Sequence, residues 1–174
     1  LVKHLRFGTA KWYLPADLAF NGQDYVDLIT TREEEYKQSA ALPTVTFASI
    51  HEDLTRRDFT INAFALRLSD SAMIDPYNGL DDLKTGTIRT LHPLSFVDDP
   101  TRIFRALRYS HRLNYSLNQQ TSKELSKHLE GIKLLSGERI QHELNLALTE
   151  AEPAILLKRL ESRGVLEAIH PDLQ

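Results

Sequence analysis

The 174-residue sequence contains no cysteine. That removes disulfides, thiolate metal sites and cysteine nucleophiles, and it suits a reducing compartment, so a cytoplasmic setting is expected. No apolar run approaches the ~20 residues that a bilayer crossing needs, and no secretory leader pattern is present, so no membrane partner is expected. An excess of positive charge is missing too: 21 Lys and Arg stand against 24 Asp and Glu, a formal net charge of −3. Bulk electrostatics therefore do not advertise a nucleic acid, and any such partner must be held by a local basic face. No repeat of fixed period is found. The chain opens on Leu1 rather than Met and stops at HPDLQ, so a piece trimmed at both ends is expected.

What is present is ample for a core, in one medium domain or two small ones. The stretch that organises it is VDDPTRIFRALRYSHRL, residues 97–113. The spacing predicts a helix in which Asp98 and Asp99 form the entrance and Pro100 takes the first turn, where no N–H is needed. Ile103, Ala106, Leu107 and Ser110 share one face, with Arg102, Arg105, Arg108 and Arg112 on the flank. Asp99 and Arg102, three residues apart, lie on one side of the first turn. A carboxylate and a guanidinium held there offer the acceptor and donors that reading a nucleobase edge requires. A plain capped surface helix with a solvated arginine flank has the same pattern, and the residues alone leave both readings open.

Ahead of this helix the chain reads as strands. RFGTAKW (6–12) and DYVDLIT (24–30) flank the turn signal Asn21-Gly22, a hairpin cue. Alternation sets Asp27 on a face with Tyr25 and Ile29. A carboxylate in an otherwise apolar strand is expected to be paired, metal-bound, or on an edge facing water. Residues 32–46 lose periodicity and read as a loop. Ser49 and Glu52 form a capping box. In RRDFTINAFAL (56–66), Arg57, Asp58 and Asn62 place a cation, an anion and an amide on adjacent turns if helical, suited to phosphate and ribose. An internal salt bridge with a capping amide is the competing reading. A hairpin is expected around Ser69-Asp70-Ser71, a turn at DPYNG (75–79), a short helix closed by Gly86, and a further short strand at 87–91. Beyond residue 113 everything reads as helical, punctuated by Gly131, Pro153 and Gly164. The pattern gives an α+β class, with strands in front and a helical array behind, the change falling near Pro93 to Pro100.

RRDFTINAFAL and IDPYNGLDDLKTGTIRTLHPLSFVDDPTRIFRALRYSHRLNYSL closely resemble the class II tRNA nucleotidyltransferase and bacterial poly(A) polymerase family. The likeness runs from FGTA to GERIQHEL (137–144), nearly the whole chain. It implies a partial nucleotidyltransferase head over residues 1–93, a small antiparallel or mixed sheet with helices. An α-helical neck that recognises the nucleobase would follow over residues 94–174. The family's RRDxxxNA motif matches Arg56, Arg57, Asp58, Asn62 and Ala63, implying contacts to the ribose and triphosphate of the incoming nucleotide. Its acidic-acidic-x-x-Arg motif matches Asp98, Asp99 and Arg102, implying an amino-acid template: the carboxylate accepts from the exocyclic amine of cytosine or adenine, and the arginine donates to a ring nitrogen or carbonyl. Arg105 is implied as a phosphate contact. Glu138 and Arg139 are implied as braces of the template helix, Asp27 as a third acidic position and Arg32 as part of a flexible loop.

The implied activity is template-independent addition of C and/or A to the tRNA 3′ end from CTP and ATP. Mg²⁺ would be held by a D-x-D pair. That pair is absent from the sequence before Arg6. It is expected upstream of Leu1, and the chain by itself is expected to be inactive. Full CCA addition, CC-only or A-only addition, poly(A) tailing, and a non-catalytic RNA- or nucleotide-binding module are the alternatives.

Overall fold

The computed structural model describes residues 1–4, 8–19, 22–35 and 44–173. Strands β1 (Val2–His4), β2 (Thr9–Tyr13) and β3 (Tyr25–Ile29) form an antiparallel sheet in that order. The expected pairing of the stretches around 6–12 and 24–30 is found, although Arg6 and Asn21 lie outside the described residues. Asp27 sits opposite Lys11 and is exposed, as are Val26, Leu28 and Ile29. It is therefore a water-facing carboxylate rather than a buried one.

The segment expected as a loop from residue 32 is instead the start of a hairpin. Strand β4 (Arg32–Glu35) pairs antiparallel with β5 (Thr44–Phe47). Thr-Val-Thr-Phe is a strand-forming run, and its partner supplies a cross-strand hydrogen bond from the Thr46 hydroxyl to Glu33 (2.7 Å), so local polarity in REEE is overridden by pairing. Arg32 thus belongs to a strand, not to a loop. Residues 36–43 of the expected loop lie outside the described residues.

Helix α1 (Ile50–Thr55) begins with the expected capping box, in which Glu52 Oε2 accepts from the Ser49 N–H (2.7 Å). The chain then turns without continuing the helix. It passes through a 3₁₀ turn (Thr60–Asn62) into the hairpin β6 (Ala65–Arg67) and β7 (Ala72–Ile74). Asp75 in the DPYNG turn accepts from the Gly79 and Leu80 N–H groups (2.7 and 3.0 Å), which starts α2 (Gly79–Thr85). Gly79 packs so closely that a Cβ there would lie 2.0 Å from the Thr60 carbonyl oxygen. Gly86, at φ 66°, closes the helix in the left-handed conformation that favours glycine.

Strand β8 (Thr87–Ile88) follows, then α3 (Ser95–Asp98) and α4 (Thr101–Leu113). The single helix expected over 97–113 is broken at Asp99, whose backbone is extended (φ −139°, ψ 100°). The cause is Pro100, whose ring disfavours the helical conformation in the residue before it. Asp98 accordingly ends α3 instead of capping α4. Strand β9 (Ser116–Leu117) pairs in parallel with β8, bridging the two sides of α4. Helices α5 (Gln119–Lys127), α6 (Gly137–Leu148), α7 (Pro153–Ser162) and α8 (Val165–Ile169) complete the chain, with a 3₁₀ segment (Leu129–Leu134) after α5.

One buried cluster holds this array together. It joins Phe59 and Ile88 to Phe96, Ile103 and Ala106 of the α3–α4 region and to Leu125, Leu156 and Leu160 behind. Each large side chain so buried contributes about 1.5–3 kcal/mol. The expected apolar face of α4 is the one buried, but only part of its arginine flank is solvated: Arg102 and Arg108 are 5% and 6% exposed, Arg105 is partly buried and Arg112 is exposed. The class is α+β. Among the described residues no helix is long and apolar enough to cross a membrane.

Candidate functional site

The break at Asp99 brings the start of α4 beside the turn that follows α1, and a cleft of about 580 Å³ opens between them. Arg57, Asp58, Asn62, Asp99, Arg102 and Arg105 all line it, together with Arg32 at its edge. Asp98 does not: it borders an adjoining hollow of about 300 Å³ with His92 and Glu52, sharing only Arg56 and Arg102 with the main cleft. Its carboxylate lies 3.5 Å from His92 Nε2. Burial lowers the His92 pKa, Asp98 pulls it up and Arg102 pushes it down, leaving it below the ordinary imidazole value.

Beneath the cleft wall sits Asp53, 2% exposed, which the sequence reading passed over. Its Oδ1 accepts from Arg56 Nη2 (2.7 Å) and from the Arg32 backbone N–H (3.1 Å), and its Oδ2 from Arg57 Nη2 (2.8 Å) and Nε (3.2 Å). Burial raises the Asp53 pKa, but the hydrogen bonds from Arg57, Arg56 and the Arg32 N–H more than offset it, and the carboxyl is held below its ordinary value. Arg56 Nε also donates to the Arg32 carbonyl (2.9 Å), joining β4 to α1. One signal for Asp53 was available. It stands three and four residues before a pair of arginines, the spacing at which helical side chains meet.

Asp58 faces the other way. Its Oδ2 takes the Arg105 fork, with Nε at 2.8 Å, while Oδ1 accepts from the Asn62 amide (3.0 Å) and the Phe59 N–H (2.9 Å). Asp58 therefore positions Arg105 and Asn62 and has little capacity left for a ligand. The Arg105 guanidinium lies 5.5 Å from the Tyr109 ring centroid, and Tyr109 meets Phe59 edge-on at 5.8 Å. The Thr60 hydroxyl donates to Asp82 (2.6 Å), which Arg89 grips with two hydrogen bonds (2.8 and 2.9 Å), so the turn presenting Asn62 is tied to α2.

Asp99 and Arg102 are not bonded to each other. Asp99 Oδ1 accepts from the Thr101 N–H (3.0 Å), the Thr101 hydroxyl (2.8 Å) and Arg139 Nη2 (2.7 Å). No donor reaches Oδ2 among the described residues. Arg102 Nη1 donates to the Ser95 hydroxyl (2.8 Å) and Nη2 to the Arg56 carbonyl (2.9 Å). Arg139 is aimed by α6, whose Ser136 cap accepts from the Arg139 N–H. Glu138, the other expected brace, is exposed and borders a separate hollow of about 240 Å³ beside His142. Behind them Glu143 pairs with Arg108 (2.8 Å), fastening α6 to α4.

The arrangement is a cationic cleft carrying one carboxylate with an open oxygen next to a buried guanidinium. It can hold an anion on Arg57 and Arg105 and match a flat ring edge at Asp99 and Arg102. Mg²⁺ is a different matter. Asp27 is a lone exposed carboxylate, and no group of three or more His, Asp or Glu residues among those described is placed to hold a metal. The described residues do not by themselves fit the Mg²⁺ pair that the resemblance implies.

Two family models match the chain: "Poly A polymerase head domain" over residues 6–89 and "Probable RNA and SrmB- binding site of polymerase A" over residues 114–174. An A-adding tRNA nucleotidyltransferase of Geobacter sulfurreducens is 41% identical over 98% of this chain and 19% of its own length. A solved CCA-adding enzyme in an apo form superposes with a TM-score of 0.87 at 38% identity, covering 98% of this chain and 40% of that one. A tRNA nucleotidyltransferase crystallised with a primer tRNA and an incoming ATP analogue gives a TM-score of 0.78 at 38% identity, over 97% of this chain and 46% of that one. The chain thus spans about a fifth to under half of the length of these relatives. On this evidence the chain belongs to the class II tRNA nucleotidyltransferase and bacterial poly(A) polymerase family.

Proposed function

We propose that the chain is the base-selecting part of a template-independent enzyme that transfers C and/or A from CTP or ATP to the 3′ end of tRNA. The observation that carries this reading is that Asp99 and Arg102 border the same cleft as Arg57 and Asn62. In it, Arg57 and Arg105 take the triphosphate, the side-chain Oδ1 of Asn62 takes a ribose hydroxyl, and Asp99 Oδ2 accepts from the exocyclic amine. Arg102 donates to the neighbouring ring nitrogen. Adenine and cytosine both present an amine beside an acceptor, whereas uracil and guanine reverse part of that pattern and leave a polar group unpaired. Arg139, bonded to Asp99 Oδ1, acts as the brace, and Glu138 has no contact among the described residues that would share the task.

The A-adding relative supports adenine as one accepted base. The solved relative bound to primer tRNA and an ATP analogue supports tRNA and ATP as partners. In this reading residues 1–93 serve as a partial head and residues 94–174 as a neck, in the cytoplasm. Asp98, turned to His92, supports the head–neck junction. Arg32 acts through its backbone, which Asp53 and Arg56 grip. Among the described residues Asp27 has no acidic or histidine partner that would recruit it to a metal, so in this reading the family's Mg²⁺ needs carboxylates other than those described.

The test is calorimetric titration of ATP, CTP, GTP and UTP into the full chain. ATP, CTP or both are expected to bind about tenfold or more tighter than GTP and UTP, the effect of one unpaired buried polar group. In Asp99→Ala that preference is expected to collapse with triphosphate affinity largely kept. Equal affinity for all four nucleotides in the unaltered chain would remove the reading.

A further inference from the structure

Arg102 differs from its neighbours in the cleft by its lack of a counter-ion. Arg57, Arg105, Arg108 and Arg139 each pair with a carboxylate. Arg102, 5% exposed, pairs with none among the described residues. Neutral oxygens hold it instead: the Ser95 hydroxyl and carbonyl, and the Arg56 carbonyl. A guanidinium taken that far out of water is costly unless negative charge lies close by. The adjoining hollow of about 300 Å³ supplies it, since Arg102 and Arg56 share that space with Glu33, Glu52, Asp98 and His92. Two of the three carboxylates are already engaged. Glu33 accepts from the Thr46 hydroxyl (2.7 Å) and Glu52 from the Ser49 N–H (2.7 Å). Asp98 accepts no hydrogen bond from the described residues, and its recorded contact is with His92 Nε2 at 3.5 Å.

His92 is placed to compete with Arg102 for the charge on Asp98. Ser95, which anchors Arg102, stands three residues from each of them in the single turn of α3. The His92 carbonyl accepts from the Ser95 N–H (3.2 Å), and the Asp98 side chain returns to the His92 ring from the other end of the turn. Their separation is too long for a good hydrogen bond with a neutral ring and short enough for an ion pair with a charged one. Both side chains are half-buried, so protons reach the ring. The charges facing His92 are those of Asp98 on α3, Arg102 on α4, Glu52 and Arg56 at the two ends of α1, and Glu33 on β4. Burial disfavours the imidazolium, Asp98 favours it and Arg102 disfavours it, so the ring stays neutral to below the ordinary imidazole value. A neutral His92 leaves the Asp98 charge to Arg102. A protonated one takes it and adds a second cation beside a guanidinium with no carboxylate of its own.

We propose that His92 is a positioning residue for Arg102: neutral, it leaves Arg102 seated for base selection, and protonated, it unseats Arg102 by drawing off Asp98. This rests on the base-reading role given to Arg102 above. The experiment titrates ATP, CTP, GTP and UTP into the full chain between about pH 8 and about pH 5 and reads the preference for ATP or CTP over GTP and UTP. A ratio of affinities cancels the protonation of the triphosphate, which the four share. The preference is expected at about pH 8 and is expected to shrink about threefold or more below the ordinary imidazole value of about 6.5. His92→Gln, neutral throughout, is expected to hold its preference across the range. His92→Lys, charged throughout, is expected to show the weakened preference already at about pH 8. Asp98→Asn removes the contested charge and is expected to give a weak preference that no longer depends on pH. Thermal midpoints at about pH 8 separate an unseated arginine from an unfolded chain.

A preference that is present at about pH 8 and level down to about pH 5 in the unaltered chain would overturn the proposal and leave base selection by Arg102 standing. So would a His92→Gln chain that loses its preference on acidification as the parent does, or a folded His92→Lys chain that selects as well as the parent. Absence of any preference in the unaltered chain at every pH would remove the base-selection reading itself, and the role of His92 with it.

Discussion

Asp53 does not line the cleft, yet it sets where two of the cleft's arginines and the first residue of β4 sit. A buried carboxylate shared by two guanidinium groups is costly to neutralise, because each cation is then left with an unmatched donor. Asp53→Asn is expected to cost about 3 kcal/mol of stability, read from urea unfolding, and to weaken ATP binding by freeing Arg57. Stability within experimental error of the parent would show that the two arginines do not depend on this carboxylate. That Arg57, Asn62, Asp99 and Arg102 could be grouped was legible in the sequence because each motif is local, and all four line one cleft. Asp53 was not, since what matters about it is burial, and burial depends on β4 arriving from 21 residues away. Asp98 misled for a related reason. Two adjacent aspartates look equivalent until the backbone at Asp99 turns one of them outward.

At the scale of elements, Pro100 is what separates α3 from α4 and gives the cleft its mouth. The sequence showed the proline, and a helix start was the right inference, but the short helix ahead of it carries no periodic signal in four residues. The β4–β5 hairpin was equally hidden, because three consecutive glutamates have no strand preference until Thr44–Phe47 pairs with them. Helix α2 and the Asn62 turn touch through Gly79. Gly79→Ala places a methyl group against backbone, not against a yielding side chain, so the turn or the helix must shift. We expect a loss of about 2 kcal/mol in thermal or urea unfolding, with weaker nucleotide binding as Asn62 moves. An unchanged midpoint would mean that the close approach to Thr60 is not maintained in solution.

Over the whole molecule, acid should act through a small set of carboxylates. Hydrogen bonding from Arg112 holds Glu150 below its ordinary pKa. At Asp82, burial is outweighed by the hydrogen bonds from Arg89 and Thr60, as it is at Asp53 by its arginines. Because the folded pKa values are lowered, the folded chain binds fewer protons than the unfolded chain near pH 4. The stabilisation is therefore complete above the unfolded values and is lost as the pH falls through the folded ones. Urea midpoints measured from pH 7 downward are expected to stay level to about pH 5 and then fall. A midpoint that rises on acidification would contradict this.

The expected change from strands to helices near residue 93 describes the order of elements well, but not the way the interior is shared. Ile88 and Phe59, before that point, are buried with Phe96, Ile103 and Leu125 after it, and β8 lies alongside β9. A chain cut near residue 93 would expose the same greasy seam on both pieces. Neither half would have anything of its own with which to close it, so the two would find each other again or clump. Evolution could exchange such a front half only by carrying the matching back half along with it.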